Sequence, residues 1–242
     1  IGTVSSTGTN QYTVTGTLAT NSDNTPLLLA GTSLPEISIA DIGFAIPASS
    51  LTSTDTAVDP SVDSVSPTTG STWGFTDITI SGHYFGYSLT NSFGTSVTVG
   101  GAPCTITALS NTQISCTTGK NVDSSDLSIT VNGQTKTFSG VFTYTSNNVP
   151  TYDSSTPQSA NPTLQTTLTM VGSFLSYTKD QFQIFLDETN SNGDVTQYGA
   201  YQCYTPSVTS SQLQCSLAGG IASTNLYNVR VIVSGIGSAI PS

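Results

Sequence analysis

The four cysteines are the residues of this chain whose spacing most directly suggests chemistry. Cys104 and Cys116 lie twelve positions apart in CTITALSNTQISC, and Cys203 and Cys215 lie twelve apart in CYTPSVTSSQLQC. Such pairs can bind a metal ion, exchange electrons, supply a nucleophile or form a disulfide. Zinc sites usually draw their ligands from C-x-x-C or histidine motifs, and this chain has no C-x-x-C and one histidine, His83. A metal site at the cysteines is therefore disfavoured.

A redox or nucleophilic role for either pair also lacks supporting residues. Reactive thiols need a helix N-terminus, a cation or a histidine nearby, and the one histidine would have to serve both pairs. If a turn centres on Ser110, Cys104 and Cys116 face each other across a hairpin, with Cβ atoms about 5 Å apart. The spacing predicts disulfides 104–116 and 203–215 and an oxidising compartment. Four reduced core thiols in a cytosolic protein are the alternative.

The loop DETNSNGD is the nearest approach to a cation site. Glu188, Asn190 and Asn192 fall on the first, third and fifth positions of a calcium-binding EF-hand loop, but the twelfth position is Gly199 instead of glutamate. No helices are predicted on either side, so a hairpin tip is favoured over a metal site, and we expect no cofactor. The residues retained as secondary candidates for weak calcium binding are Asp187, Glu188, Asn190, Asn192 and Asp194.

An aromatic pair in GSTWGF is the candidate for contact with a partner. Trp73 is the only tryptophan of the chain, and Phe75 follows it in a turn-rich stretch. Tryptophan and tyrosine are enriched among residues that dominate protein interfaces. The pair therefore predicts a partner-binding loop, and the alternative is that it caps the end of a hydrophobic core.

The sequence contains no set of residues that indicates a catalytic site. His83 is accompanied by no nucleophile motif such as G-x-S-x-G, and the 14 acidic residues are spread singly along the chain. We therefore predict no catalytic residues and a protein that is not an enzyme.

The elements that carry these residues are predicted to be β-strands throughout. Apolar residues alternate with polar ones, as in Ile78 with Ile80 and Val229 with Val231, and no helical apolar stripe persists for three turns. The dipeptides Asn132-Gly133 and Asn192-Gly193 favour tight hairpin turns, which need positive φ angles. The pattern predicts an all-β fold.

An internal repeat indicates how the strands are divided into domains. SNTQISC reappears as TSSQLQC 99 positions later, with the partner cysteine shifted equally. Repeats of this kind predict two similar domains, at 59–147 and 148–242. Residues 1–58 lack cysteine but end in IGFAIP, similar to the later IGSAIP, and we expect a divergent, shortened or cropped related segment.

Composition excludes several classes of function. Four Lys and Arg against 14 Asp and Glu give a net charge of −10, which disfavours nucleic acid as a partner. Only 7% of residues are charged, whereas Ser and Thr make up about a third. No apolar run is long enough to cross a membrane. Because Met170 is the only methionine, we expect a fragment of a larger product, attached to a membrane only through segments outside it.

The stretch VDSVSPTTGSTWGFTDITISGHYFG, followed by VTVGGAPCTITALSNTQISCTTG, resembles the IPT/TIG family of immunoglobulin-like domains. The similarity rests on VSP, the Gly70 and Gly74 pair, ITISG with FG, VGG before Cys104, and the cysteine hairpin. The later repeat keeps the hairpin and a G-x-F element but lacks VGG and FG. The resemblance implies tandem β-sandwich domains.

Several functions are implied by the family. IPT/TIG domains occur in transcription factors, receptor ectodomains, accessory modules of bacterial carbohydrate enzymes, and the tiger adhesion and self-recognition proteins of social amoebae, to which this composition is most similar. We expect the extracellular portion of a cell-surface protein that mediates adhesion or recognition by binding another cell-surface protein, homophilically or heterophilically. The alternatives are a carbohydrate-binding or spacer module of a secreted bacterial protein, and a structural stalk.

Overall fold

The computed structural model describes residues 3–8, 11–15, 38–39, 43–44, 59–86, 94–121, 126–131, 133–159, 163–174, 177–221 and 225–242. Ahead of residue 59 it describes two short antiparallel strand pairs. These pairs are β1 (Thr3–Gly8) with β2 (Gln11–Thr15), and β3 (Ser38–Ile39) with β4 (Gly43–Phe44). The rest of the predicted divergent segment, 1–58, lies outside the described residues.

The described part of residues 59–147, here called the middle domain, contains nine strands. Seven of them form one antiparallel sheet in the order β12-β11-β8-β9-β10-β7-β5, and β6 pairs in parallel with β13. The strands are β5 (Ser61–Ser66), β6 (Thr69–Ser71), β7 (Asp77–His83), β8 (Ser96–Val99), β9 (Ala102–Leu109), β10 (Gln113–Thr118), β11 (Leu127–Val131), β12 (Gln134–Phe138) and β13 (Thr143–Thr145).

Residues 148–242, here called the C-terminal domain, have eight strands in their described part, in the order β20-β19-β16-β17-β18-β15-β14-β21. A single 3-10 turn, Lys179–Gln181, is the only helix among the described residues, and none of them forms a helix long and apolar enough to span a membrane. The strands are β14 (Thr151–Thr156), β15 (Thr166–Ser173), β16 (Phe182–Thr189), β17 (Val195–Val208), β18 (Gln212–Leu217), β19 (Leu226–Val233), β20 (Gly237–Ser238) and β21 (Ile240–Pro241).

The two domains share one strand order, so the internal repeat of the sequence is a repeat of topology. Strands β5, β7, β8, β9, β10, β11 and β12 correspond in order to β14, β15, β16, β17, β18, β19 and β20. Each domain also has one parallel pair made by its last described strand, β13 with β6 in the middle domain and β21 with β14 in the C-terminal domain. The all-β, sandwich-like architecture expected from the sequence is confirmed.

Each domain buries its own hydrophobic core, formed by the alternating residues that the sequence singled out. Ile78 and Ile80 on β7 are 1% and 0% exposed, whereas Thr79 between them is half-buried on the other face. In the C-terminal domain Ile184, Val231 and the buried residues around them form a second, separate cluster. Strand periodicity therefore places the apolar side of each ladder inward.

The two predicted cysteine pairs are both bonded, and no cysteine is free. The Cα atoms are 5.5 Å apart in Cys104–Cys116 and 5.6 Å apart in Cys203–Cys215. Each bridge ties the second strand of a hairpin to the first, on the core side of the sheet.

The predicted register of the first hairpin was wrong by two residues. Cys104 pairs with Thr118 in the ladder and Cys116 with Ile106, so the disulfide joins diagonal positions. The turn runs from Ser110 to Gln113 instead of centring on Ser110. The Ser110 amide donates to the Gln113 carbonyl, and the Gln113 amide donates to Ser110 Oγ. The turn therefore lies nearer the second cysteine, and the ladder is irregular between Ser115 and Cys116.

Candidate interaction site at the junction of the two domains

The middle and C-terminal domains are joined by backbone hydrogen bonds between β6 and the turn that leads into β20. The Ser71 amide donates to the Ile236 carbonyl at 2.8 Å, and the Ser238 amide donates to the Gly74 carbonyl at 2.8 Å. Two backbone hydrogen bonds thus connect residues about 165 positions apart in sequence. Since backbone bonds are directional, this contact sets the relative orientation of the two domains.

Two buried hydroxyl groups complete the same contact. Ser71 Oγ donates to the Ser238 carbonyl at 2.5 Å, and Thr76 Oγ1 donates to the Ile236 carbonyl at 2.7 Å. Ser71 and Thr76 are 0% exposed. Gly237 lies between the bonded residues with φ +111°, and a Cβ added there would come within 2.4 Å of Thr76 Oγ1. The junction therefore has room only for glycine at this position.

A buried ion pair lies near this contact. Arg230 on β19 donates from Nε to Asp187 Oδ2 at 2.6 Å and from Nη2 to Asp187 Oδ1 at 2.7 Å. The Gly199 amide donates to the same carboxylate at 2.7 Å. The side chains of Arg230 and Asp187 are only 12% and 4% exposed. Two parallel bonds hold the guanidinium plane in one orientation.

Three aromatic rings surround the guanidinium group, one of them supplied by the middle domain. Arg230 Cζ lies 4.1 Å from the ring centre of Phe75, 5.1 Å from that of Phe185 and 5.4 Å from that of Tyr198. Phe75 and Tyr198 also meet edge to face, with ring centres 5.4 Å apart. Cations are attracted to aromatic faces at these distances. The cluster therefore links the domains through side chains as well as backbone.

An open groove of about 440 Å³ lies over this cluster. Lys120 Nζ sits 3.3 Å from the ring centre of Trp73 on the middle-domain side. On the opposite side the Tyr198 ring is 62% exposed. The groove combines exposed aromatic surface with two cations, a composition typical of interface anchors. Its principal lining residues are Trp73, Phe75, Lys120, Tyr152, Tyr198 and Arg230.

The structure brings both sequence-predicted aromatic residues to this groove. Trp73 and Phe75 are half-buried there, and Phe75 contacts the neighbouring domain. Their binding of a partner stays a prediction. Sequence reasoning missed Arg230 and Tyr198, and it considered Asp187 only as a candidate for weak calcium binding. The only signal was a lone arginine in the alternating stretch NVRVIV, because an isolated charge on such a strand needs a partner.

The candidate cation loop is the hairpin tip between β16 and β17. Asn190 Oδ1 accepts from the Asn192 and Asp194 amides, and Asn190 Nδ2 donates to Asp194 Oδ2 at 3.1 Å. Asp187 faces Arg230 instead of the tip, so the candidate ligands do not share one site. No group of three or more His, Cys, Asp or Glu side chains is placed to hold a metal ion in the part of the chain that the structure describes.

Comparison with known proteins identifies the repeated domain. A family model for the IPT/TIG domain matches two stretches, residues 60–145 and 150–241. The chain belongs to the IPT/TIG family. Its two IPT/TIG copies are the middle and C-terminal domains, and the resemblance found in the sequence is confirmed.

Known relatives of these IPT/TIG domains are much longer than this chain. The chain is 30% identical over 191 residues to fibrocystin-L of Mus musculus, covering 77% of this chain and 4% of that protein. Two structures of the plexin A4 extracellular region align with 73% and 74% of the chain at 17% and 19% identity, with TM-scores of 0.41 and 0.37. The chain covers 15% and 17% of those plexin chains.

Proposed function

We propose that this chain is an extracellular recognition module that mediates cell adhesion or cell recognition through its IPT/TIG domains. Its partner is another cell-surface protein, which is either a second copy or a different protein. The role is binding, with no chemical step. The observation that carries the proposal is the junction groove, where aromatic and cationic side chains of two domains form one surface.

The disulfides support the extracellular part of the proposal. Disulfides persist in oxidising compartments and are rare in the cytosol, and all four cysteines of this chain are bonded. The low content of charged residues, 7%, with a net charge of −10, argues against nucleic acid as the ligand. A secreted or surface-attached setting accounts for both features.

The geometry of the junction supports recognition by the domain pair as a unit. Trp73 and Phe75 come from the middle domain, whereas Tyr198 and Arg230 come from the C-terminal domain. Because the β6–β20 hydrogen bonds fix their separation, the groove is preorganised and a partner need not order it on binding. Modest affinity at one groove becomes strong attachment when many copies act across a contact zone.

Binding of protein-coated beads to one another and to cells tests the proposal. Beads coated with the non-reduced protein are expected to cluster or to bind cells of the producing species, and soluble protein is expected to compete. Clustering of beads alone indicates a homophilic partner, whereas binding to cells alone indicates a heterophilic one. Absence of both, at coating densities where a known adhesion protein gives clusters, would contradict the proposal.

A structural stalk is the second candidate, and the junction hydrogen bonds favour it specifically. A fixed angle between neighbouring domains is what a spacer needs. A stalk carries no binding surface of its own. Beads coated with a stalk would therefore bind neither other coated beads nor cells. If a known binding domain fused to the protein nevertheless supported adhesion, the stalk function would be favoured.

A further inference from the structure

The cations of this chain are concentrated in the junction groove. The chain has four Lys and Arg residues, and two of them, Lys120 and Arg230, line the groove. The other two, Lys136 on β12 and Lys179 in the 3-10 turn, lie outside it. Asp187 is the one carboxylate among the described lining residues, so two positive charges against one negative leave the groove with a single net positive charge. The chain as a whole carries −10, and the groove is therefore suited to one anionic group.

The carboxylate of Asp187 is occupied by internal donors, but the guanidinium of Arg230 is not fully used. Asp187 Oδ1 accepts from Arg230 Nη2 and from the Gly199 amide, and Oδ2 accepts from Arg230 Nε. Nη1 of Arg230 has no acceptor among the described residues. It is nevertheless reached by solvent, because the buried side-chain atoms without a partner in the described part of the chain belong to His83 and Asn111. Arg230 therefore retains N–H donors for a ligand.

Lys120 supplies unused donors on the middle-domain side of the groove. Its side chain is exposed, and its ammonium lies 3.3 Å from the ring centre of Trp73. None of the ion pairs formed by the described residues includes Lys120. An ammonium group has three N–H donors, and contact with a ring face leaves some of them free to bind an oxygen atom. The two cations thus come from different domains and line the same groove.

The aromatic walls of the groove determine what accompanies the anionic group. The Tyr198 ring is 62% exposed, and Trp73 and Phe75 line the same groove. A volume of about 440 Å³ lies within the range of sites that hold small ligands. A free phosphate or sulfate ion would leave these rings in water, whereas a carboxylate attached to an aromatic group would cover them. The groove therefore favours an acidic group with an aromatic neighbour.

We propose that the junction groove recognises an acidic residue of the partner protein, with its carboxylate between Lys120 and Arg230 and an aromatic neighbour in sequence packed on Tyr198. Carboxylates form short, charge-assisted hydrogen bonds with ammonium and guanidinium groups. Recognition of this kind rests on the proposed function and names the chemistry of the partner at that same groove. Because the two cations belong to different domains, the bound carboxylate also strengthens the coupling between the domains.

A short peptide provides the direct test with the 242-residue protein. The probe is acetyl-Gly-Phe-Asp-Phe-Gly-amide, and the matched control has Asn in place of Asp. Because Trp73 is the only tryptophan of the chain, its fluorescence reports on this groove. The Asp peptide is expected to change the fluorescence saturably and to bind at least fivefold more tightly than the Asn peptide, with a smaller difference in high salt. Equal affinities, or no saturable binding of the Asp peptide at millimolar concentration, would overturn the proposal.

Variants of two lysines locate the bound carboxylate. Lys120→Gln is expected to remove most of the preference for the Asp peptide, whereas Lys120→Arg retains the positive charge and is expected to keep that preference. Lys136→Gln, on β12 outside the groove, is the matched control and is expected to bind both peptides as the wild type does. The same preference in Lys120→Gln and Lys136→Gln would overturn the assignment to this groove.

Variants at the junction test the contribution of both domains to the carboxylate site. Gly237→Ala is expected to weaken the Asp peptide at least fivefold, because it separates the domains that carry the two cations, whereas Gly235→Ala is expected to leave binding unchanged. Undiminished binding of the Asp peptide to Gly237→Ala would overturn a site shared between the domains.

Two further measurements separate the carboxylate site from the proposed function. If binding to cells or beads depends on Tyr198 but is neither inhibited by the Asp peptide nor weakened by Lys120→Gln, the proposed function stands and the carboxylate site is wrong. If the Asp peptide binds as expected but the protein attaches to neither beads nor cells, the carboxylate site stands and the proposed function is wrong. Binding of N-acetylneuraminate, an acidic sugar, in place of the peptide would overturn the recognition of a protein side chain.

Discussion

At the scale of single residues, Arg230 and Asp187 form a closely held and largely buried ion pair. Two charges lie in a largely buried position, with bonds of 2.6 and 2.7 Å between them and three aromatic rings around the guanidinium. Removing one member of such a pair leaves the other charge buried without compensation, which is much more costly than removing both.

Asp187→Asn is therefore expected to destabilise the protein by about 3–5 kcal/mol. Asp180→Asn, at an exposed position of the 3-10 turn, is the matched control and is expected to change stability by less than about 0.5 kcal/mol. Urea denaturation checks both. The double variant Asp187→Leu with Arg230→Met should recover most of the loss, and an equally large loss in the double variant would argue against the buried-charge explanation.

Ionisation of Tyr144 at alkaline pH is expected to lower the stability of the middle domain. Burial raises the pKa of Tyr144 to about 12 from the ordinary 10.0. The folded state thus favours the protonated phenol. The contribution of Tyr144 to the free energy of unfolding is therefore complete below pH 10, and it is lost as the pH rises toward 12. The loss amounts to about 3 kcal/mol over that interval.

Urea denaturation at pH 9 to 11.5, compared between the wild type and Tyr144→Phe, measures this effect. The wild type is expected to lose stability relative to the variant as the pH rises. Parallel stability curves for the two proteins would show that Tyr144 does not titrate with a raised pKa.

At the scale of elements, the stapled hairpins β9–β10 and β17–β18 are the repeated unit. Both turns use the same device: Thr209 Oγ1 accepts from the Gln212 amide as Ser110 Oγ accepts from the Gln113 amide. Each disulfide closes a short loop, and chain-entropy arguments assign such a bridge about 3 kcal/mol.

Replacing both cysteines of either pair by alanine is expected to cost about 3 kcal/mol in the domain concerned. While the domains are coupled, the loss should lower the temperature of their common unfolding transition. When a substitution at the junction separates the domains, the loss should appear only in the transition of the altered domain. Mass spectrometry of the non-reduced protein is the control, and free thiols at all four positions would contradict the extracellular assignment.

The sequence allowed these elements to be predicted because their signals are local. Alternation in Ile78 and Ile80 and the spacing of Cys104 and Cys116 are visible within a dozen residues. The hairpin register was wrong because the turn runs from Ser110 to Gln113 and the ladder is irregular between Ser115 and Cys116, and neither feature is visible in the spacing of the cysteines. The junction could not be predicted at all, since Ser71 and Ile236 meet only after both domains have folded.

At the scale of the whole molecule, the two IPT/TIG domains form one unit. The backbone hydrogen bonds of Ser71 and Ser238 and the aromatic groups around Arg230 couple them. Coupled domains unfold together and keep one mutual orientation, whereas uncoupled domains behave as separate beads on a linker.

Gly237→Ala is expected to uncouple them. Its Cβ would lie 2.4 Å from Thr76 Oγ1 and 2.5 Å from the Gly74 carbonyl. Gly235→Ala is the matched control, because Gly235 also has positive φ, +75°, but a Cβ there has no atom within 4 Å. Small-angle scattering should show a broader range of distances for Gly237→Ala alone. Identical profiles for the two variants would contradict coupling through this contact.

The central claim is that the junction groove binds a cell-surface partner, and two tyrosines of one strand test it most directly. Tyr198 and Tyr204 both lie on β17 and are 62% and 56% exposed, but only Tyr198 lines the groove. The decisive measurement is the affinity of soluble protein for cells or for protein-coated beads. The account predicts at least a tenfold loss for Tyr198→Ala and no change for Tyr204→Ala. Equal affinities for the two variants would contradict it.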